Sequence, residues 1–544
     1  MESNHLNIQT IRTTLLALLV LTVQQTFAND LYIDPAGAQG RLVIVGGGMI
    51  PTAAQGQFVA WAGGRGAKIL VVTTASEDAG TDQQDRFSKP WDDFDINSVL
   101  IVHAESREEA SSKSFLKSLQ EATGVWFVGG SQQRIIDRYV GTSFEEELYQ
   151  LLQRGGVVGG TSAGAVVQSH LAIVGGSRRP QLDTGFDLLP GAVIDQHFTE
   201  RDRLARLQNT MRKHASKVGL GIDKDTALLV DRRFMKVVGA GAVTAVLPRA
   251  RKGQQEIVKY PADSLIDLIS LRRMVRDRQF PVFPPVKVSE PIVEKGTLMI
   301  VGGGRMPLQL VKEFVAAAGG KDAHIVVLPT SMPDPLPEDY GKRMFEAGGA
   351  KNITVLRQRE RTAVESEEML EALKTADGVW FGGGRQWRFV DAYEHTKAYP
   401  LIHEVLAKGG IIGGSSAGAS IQGDYLARAN PLGNREIMAP GYEKGFGFLP
   451  GSAIDQHFKQ RNRFKDMTSL VDKYPQLLGI GIDEGTALVV RGRIGVVKGD
   501  GAVHFYDRRR TVMEGEKDYV TIESGRSFDL VDRRAVEAAA GKQE

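Results

Sequence analysis

The 544-residue chain contains no cysteine, which excludes disulfides, thiolate metal sites and every mechanism with a cysteine nucleophile. It has no excess of either charge: 67 Lys and Arg stand against 65 Asp and Glu, a formal charge of +2. No global field points to nucleic acid, so any electrostatic recognition has to be local. Beyond the N-terminus no apolar run approaches the roughly 18 residues of a membrane span. With 42% hydrophobic and 24% charged residues, the composition is that of an ordinary globular protein and excludes both disorder and a membrane bundle. What the chain has in surplus is glycine, 62 residues.

The first 28 residues read as a secretory signal. Arg12 precedes the apolar run Thr13 to Val23, and Thr26 and Ala28 are small residues suited to cleavage before Asn29. The mature protein is expected to be periplasmic or secreted, with no membrane attachment after cleavage. The remainder is a duplication. LVIVGGGMIP from Leu42 returns as LMIVGGGRMP from Leu298, GVWFVGGSQQR from Gly124 as GVWFGGGRQWR from Gly378, and GGVVGGTSAGA from Gly155 as GGIIGGSSAGA from Gly409. DLLPGAVIDQHFTERDR from Asp187 returns as GFLPGSAIDQHFKQRNR from Gly447, and GLGIDKDTALLV from Gly219 as GIGIDEGTALVV from Gly479. These blocks divide the mature chain into a module over 29–270, a proline-rich linker over 271–295 and a second module over 296–544. Within each copy, short apolar runs alternate with amphipathic stretches such as Arg107 to Glu121, which predicts an α/β module with a mostly parallel sheet covered on both faces.

Chemistry is expected at the strand ends. GTSAG (Gly160–Gly164) and GSSAG (Gly414–Gly418) both satisfy G-x-S-x-G between a strand end and a helix start, the context of a nucleophile elbow, and so present Ser162 and Ser416. Of ten histidines only His197 and His457 occupy matching positions, each inside IDQHF and followed by arginines; histidine is the usual base for such a serine. The acid that would orient the imidazole is Glu484, while Lys224 stands at the same place in the first copy. A lysine cannot accept the imidazole N–H, and loss of a triad acid costs on the order of 10⁴ in turnover. The oxyanion donors would be the N–H groups of Ala417 and Gly384, with Ala163 and Gly130 as their first-copy counterparts. Gln132 and Gln386 are candidates for orienting substrate. The glycine triplets of VGGGMIP and VGGGRMP do not complete G-x-G-x-x-G, since Pro51 and Pro307 take the last position, which argues against a nucleotide site.

The combination of WFVGGSQQR, GTSAGA, DQHF with trailing arginines, GIDE and TAL resembles the cyanophycinase and dipeptidase E family of serine peptidases, over nearly all of both repeats. The resemblance implies two tandem copies of a flavodoxin-like or class I glutamine-amidotransferase-like three-layer α/β module, with no metal and no cofactor. It implies hydrolysis of bonds next to aspartate; cyanophycinases cut the β-linked Asp-Arg polymer cyanophycin into dipeptides. By position Ser416, His457 and Glu484 match the triad, and Gln386, Asp455, Gln456, Arg461 and Arg463 match the substrate-binding set. In the first copy Ser162, His197, Gln132, Asp195, Gln196, Arg201, Arg203 and Arg206 match, with Lys224 in place of the acid. Asp466 replaces the third arginine in the second copy.

The expectation is an exported serine exopeptidase acting on cyanophycin or related aspartyl peptides through its C-terminal module. The alternative is a non-catalytic tandem protein that binds Asp/Arg-rich peptide. A single chain with two such modules is further expected to form an intramolecular pseudo-dimer.

Overall fold

The computed structural model describes residues 31–251, 253–513 and 515–536; the signal segment expected over residues 1–28 lies outside them. Among the described residues no helix is long and apolar enough to cross a membrane. The chain divides into two compact units, Ile33–Pro281 and a second opening at Val282.

In the N-terminal unit the segments KILVV, GVWF, VVGGT and RLVIV are apolar or glycine almost throughout, as strands buried on both faces must be. They form Lys68–Val72, Gly124–Phe127, Val157–Thr161 and Arg41–Val45, paired in parallel in that order, with Ser98–Val102 at the edge beside Lys68–Val72. Three antiparallel strands, Thr226–Asp231, Phe234–Gly239 and Leu265–Asp267, extend the far side to eight strands. The C-terminal unit repeats the plan. Asn352–Val355, His324–Leu328, Gly378–Phe381, Ile411–Ser415 and Val293–Val301 are parallel, and antiparallel strands beginning with Thr486–Gly492 bring the sheet to nine. The module is thus α/β with a largely parallel sheet, as the apolar runs predict.

Helices fill the crossovers. The amphipathic stretch 107–121 is two helices, Arg107–Ala110 and Lys113–Glu121, because Ser112 caps the second by accepting the Phe115 N–H. Under the sheets the same aromatic trio recurs, Phe58–Trp91–Trp126 and Phe314–Phe345–Trp380, with ring centroids 5.0 to 5.6 Å apart. Trp126 and Trp380 come from the strands that lead into the glycine loops of the site.

Each unit also carries a second sheet that the sequence pattern does not announce. In the N-terminal unit Ala192–Gln196 and Val218–Ile222 run parallel and are followed by antiparallel Ala242–Leu247 and Glu256–Pro261. In the C-terminal unit Gly423–Leu426, Leu449–Gln456 and Leu478–Ile482 run parallel, followed by Ala502–Tyr506 and Tyr519–Glu523. The linker boundary at residue 271 needs correction: Leu268–Asp277 is a helix, capped by Asp267 and burying Leu271 and Val275. The second unit's first strand starts at Val293, three residues before the expected boundary.

Candidate active site

Both serines sit where a strand turns into a helix. Ser162 joins Val157–Thr161 to Ala163–Val166, and Ser416 joins Ile411–Ser415 to Ala417–Ser420. Their φ values of 53° and 57° lie in the left-handed region, which side chains adopt at a cost of order 1–3 kcal/mol. The turn is pinned from the neighbouring strand: the Ser162 N–H donates to Val45 O at 2.9 Å and the Ser416 N–H to Val301 O at 3.1 Å. Strain at both serines is what a nucleophile elbow would require.

His197 and His457 arrive from the second sheet, directly after Ala192–Gln196 and Leu449–Gln456. They too have positive φ, 47° and 49°, and their N–H groups donate to Gly46 O at 2.7 Å and Gly302 O at 2.6 Å. The glycine triplets explain this approach. A β-carbon on Gly47 would stand 2.2 Å from His197 Cε1, and one on Gly303 would stand 2.3 Å from His457 Cε1. The middle glycine of each triplet is therefore a slot for the imidazole. That use gives the motif a structural role.

The two slots deliver the same contact to serine. Ser416 Oγ lies 2.9 Å from His457 Nε2, and Ser162 Oγ lies 3.1 Å from His197 Nε2. On the other nitrogen the units part. His457 Nδ1 is 2.5 Å from Glu484 Oε1, a serine-histidine-carboxylate relay. In the N-terminal unit Lys224 holds that place, its ammonium 3.9 Å from Asp225. Asp223 accepts from Thr199 Oγ1 and the Ala242 N–H, and Asp195 is bound by Arg203 and Arg206, so neither stands in for the missing acid.

Burial holds both histidines below the ordinary pKa. For His457 the arginines Arg461 and Arg463 add to burial, and the hydrogen bond and charge of Glu484 oppose it. For His197 burial is joined by Arg201, Arg203 and Lys224 and opposed by Glu200. Both imidazoles are neutral, hence basic, at neutral pH.

The residues expected to touch substrate divide into two groups, and here the sequence reading is corrected. Asp195 and Asp455 are fully buried. Arg463 Nη1 donates to Asp455 Oδ1 at 2.8 Å, and Arg428 Nε reaches both Asp455 oxygens at 3.0 and 2.9 Å. In the N-terminal unit Arg203 donates to Asp195 at 3.2 Å and Arg206 Nε at 2.9 Å. These ion pairs fix the turn that carries the histidine. Gln132 donates to Ile173 O, within the strand Leu171–Gly175, at 3.0 Å, and Gln386 to Ala427 O, just past the strand Gly423–Leu426, at 3.2 Å, so both spend their amide on backbone. Gln196 and Gln456 are buried beside the arginines. Arg201 and Arg461, by contrast, are exposed, with no ion pair among the described residues.

Arg428 was not singled out in the sequence. It occupies the position of Val174 and supplies the second guanidinium that Arg206 gives in the other copy, while Asp466, at the position of Arg206, accepts from Arg428 Nη2 at 2.6 Å. The signal was Asp466 itself: an acid beside a buried carboxylate demands a new cation.

Neither expected oxyanion donor, the Ala417 N–H or the Gly384 N–H, has a hydrogen-bond partner among the described residues. Gly384 has φ 148°, and a β-carbon there would meet Ser331 O at 2.3 Å, so only glycine allows the loop to pass. The preceding Gly383 donates its N–H to Tyr340 Oη at 3.1 Å, a contact that sequence reading missed. Among the described residues no three His, Asp or Glu side chains converge as a metal site.

The model of "Peptidase family S51" matches residues 42–238 and 298–495, one match in each unit. A cyanophycinase from Synechococcus elongatus is 34% identical over 226 residues, 40% of this chain and 69% of its own length. One from Trichormus variabilis is 30% identical over 212 residues, 38% of this chain and 70% of its own. Among solved structures, a peptidase from an acI-B1 Actinobacterium is 24% identical with a TM-score of 0.35, covering 43% of this chain and 97% of that one.

Proposed function

The chain belongs to peptidase family S51 and is a serine-type peptidase, and we propose that its hydrolytic centre is Ser416, His457 and Glu484 in the C-terminal unit. The observation that carries this is the unbroken relay of 2.9 Å and 2.5 Å from Ser416 Oγ to Glu484 Oε1 through the two nitrogens of His457.

His457 Nε2 takes the proton as Ser416 Oγ attacks the scissile carbonyl, and Glu484 stabilises the imidazolium that results. The free N–H groups of Ala417 and Gly384 hold the developing oxyanion. His457 passes its proton to the leaving amine, and water then releases the acyl group from serine by the same steps in reverse order. The exposed guanidinium of Arg461, beside the relay and not consumed by an internal partner, meets a substrate carboxylate.

The substrate is cyanophycin or a related aspartyl peptide, released as β-Asp-Arg dipeptide. Support comes from the cyanophycinases to which about 40% of the chain is similar and from the arginine placed for an aspartyl carboxylate. The protein is exported through its N-terminal signal. In the N-terminal unit Ser162 and His197 meet without an acid, so that site binds peptide and does not cut it at a comparable rate.

Mass analysis of products from cyanophycin and from α- and β-linked Asp-Arg peptides tests the assignment. Ser416→Ala is expected to abolish dipeptide release and Ser162→Ala to leave most of it. The reverse pattern would move the active centre to the other unit.

A further inference from the structure

The two units also differ beside the serine, in the space under the glycine loop. In the N-terminal unit a cavity of about 420 Å³ opens there, within the range of small-ligand pockets. Gly129 and Thr161, which flank Ser162, form one wall, and the rest is mostly apolar, with Met49, Ile50, Phe87, Pro90, Trp126 and Val128, beside Gly48 and the one amide side chain of Gln55. Met49 is 76% exposed at the rim.

The C-terminal unit has the same backbone frame with the opposite filling. Gly382 stands at the position of Val128, and a β-carbon there would lie 2.8 Å from the Tyr340 ring. Tyr340 thus takes up the space and spends its hydroxyl on the Gly383 N–H. Arg305 and Met306 replace Met49 and Ile50. One copy offers an apolar recess next to serine; the other offers a phenol and a guanidinium.

The far rim of the N-terminal recess carries the cations of Lys224 and Arg201 beside two carboxylates, Asp225, which accepts the Met49 N–H at 2.6 Å, and Glu200, which accepts the Lys224 N–H at 3.0 Å. A β-carbon on Gly48, which lines the cavity, would lie 2.7 Å from Lys224 Cε, so the lysine stem runs along this wall. The side chain is half exposed and its ammonium is only loosely held by Asp225 at 3.9 Å. Arg201 is exposed on the histidine side.

We propose that the N-terminal unit is a binding site for acidic peptides carrying a bulky apolar side chain, the side chain filling the recess beside Ser162 and the carboxylates meeting Lys224 and Arg201. Its ligand therefore differs in class from the arginine-bearing dipeptide assigned to the C-terminal unit. The proposal rests on the reading that the N-terminal site binds without cutting. It also gives Lys224 a use: the residue that removes the relay acid supplies the counter-charge for the ligand.

The test is calorimetric titration of the full chain carrying Ser416→Ala with two probes, α-Asp-Phe and β-Asp-Arg. Asp-Phe is expected to bind and to resist displacement by β-Asp-Arg. Met49→Arg, an exposed change that copies the other unit, is expected to weaken Asp-Phe by about 10-fold, a part of the worth of burying one large apolar side chain, and to leave β-Asp-Arg binding unchanged. Lys224→Glu is expected to weaken Asp-Phe as well. Absence of Asp-Phe binding, ready displacement by β-Asp-Arg, or indifference to Met49→Arg would overturn the proposal. Cyanophycin cleavage by the chain with Ser416 intact is scored separately, so failure of the binding proposal and failure of the catalytic assignment are told apart.

Discussion

Arg428 donates to Asp466 at 2.6 Å in the C-terminal unit, at the two positions that Val174 and Arg206 hold in the N-terminal unit. The exchange keeps two guanidinium groups on each buried carboxylate, Arg428 and Arg463 on Asp455, Arg203 and Arg206 on Asp195. It does so from different elements: Arg206 lies in the helix Leu204–Lys213, Arg428 two residues past the strand Gly423–Leu426. Removing one partner of a buried ion pair costs about 3–5 kcal/mol because the remaining charge is left uncompensated. Arg428→Gln is therefore expected to destabilise the C-terminal unit by about that amount. Asp466→Arg in the same chain returns the cation from the helix side and is expected to recover much of the loss. A double-mutant cycle on the unit's unfolding transition should show coupling above about 1 kcal/mol; additive losses would mean that the two residues do not form one network.

The relay fixes the direction of a pH effect. His457 must be neutral to accept the serine proton, and its pKa lies below the ordinary 6.5 because burial outweighs Glu484. The acid limb of kcat/KM is expected below pH 6.5. Glu484→Gln removes the partner that raises the value, so the limb should move further down in pH while kcat falls by up to about 10⁴. A limb that moves upward would contradict the assigned partner.

Gly303 is expected to be as necessary as the triad. A β-carbon 2.3 Å from His457 Cε1 has to push the ring away from Ser416, and a displacement near 1 Å costs about 100-fold in rate. Gly303→Ala should lose at least that much in dipeptide release, with the fold checked by circular dichroism. Gly47→Ala, which crowds His197 in the other unit, should leave release from the Ser416 centre unchanged.

Lys224→Glu should partly restore a relay in the N-terminal unit. With Ser416→Ala as background, the expected result is a gain in turnover of α-Asp-Phe at saturating concentration of about 100-fold or more over the single variant, at a higher KM, since the orienting acid is worth up to about 10⁴. No gain would show that Ser162 lacks more than its acid.

Much of this site was legible in the linear sequence because its determinants are local. G-x-S-x-G announces an elbow, and duplication pairs each serine with one histidine and exposes Lys224 against Glu484. The parallel core was legible from unbroken apolar runs. The second sheet was not: AVIDQ and VGLGI mix polar and glycine residues into short strands whose burial comes from the partner sheet. Asp455 was misplaced for a similar reason. A carboxylate beside a catalytic histidine reads as a ligand-binding group, and only the arrival of Arg428 from a distant loop shows it to be internal. Tyr340 lies in a stretch where the copies differ in length and composition, so comparison of repeats gave no partner for it.

The relay is not uniformly replaceable. Serine and histidine are held by positive-φ backbone and by a slot with no room for a methyl group, whereas the Glu484 side chain is 37% exposed and that of Lys224 is 50% exposed. After a gene duplicates, a codon change at the exposed member disturbs no packing, while changes at the other two must be absorbed by the scaffold. Relaxed selection on a spare copy would thus fall first on the acid, leaving a nucleophile and base in place for a new use.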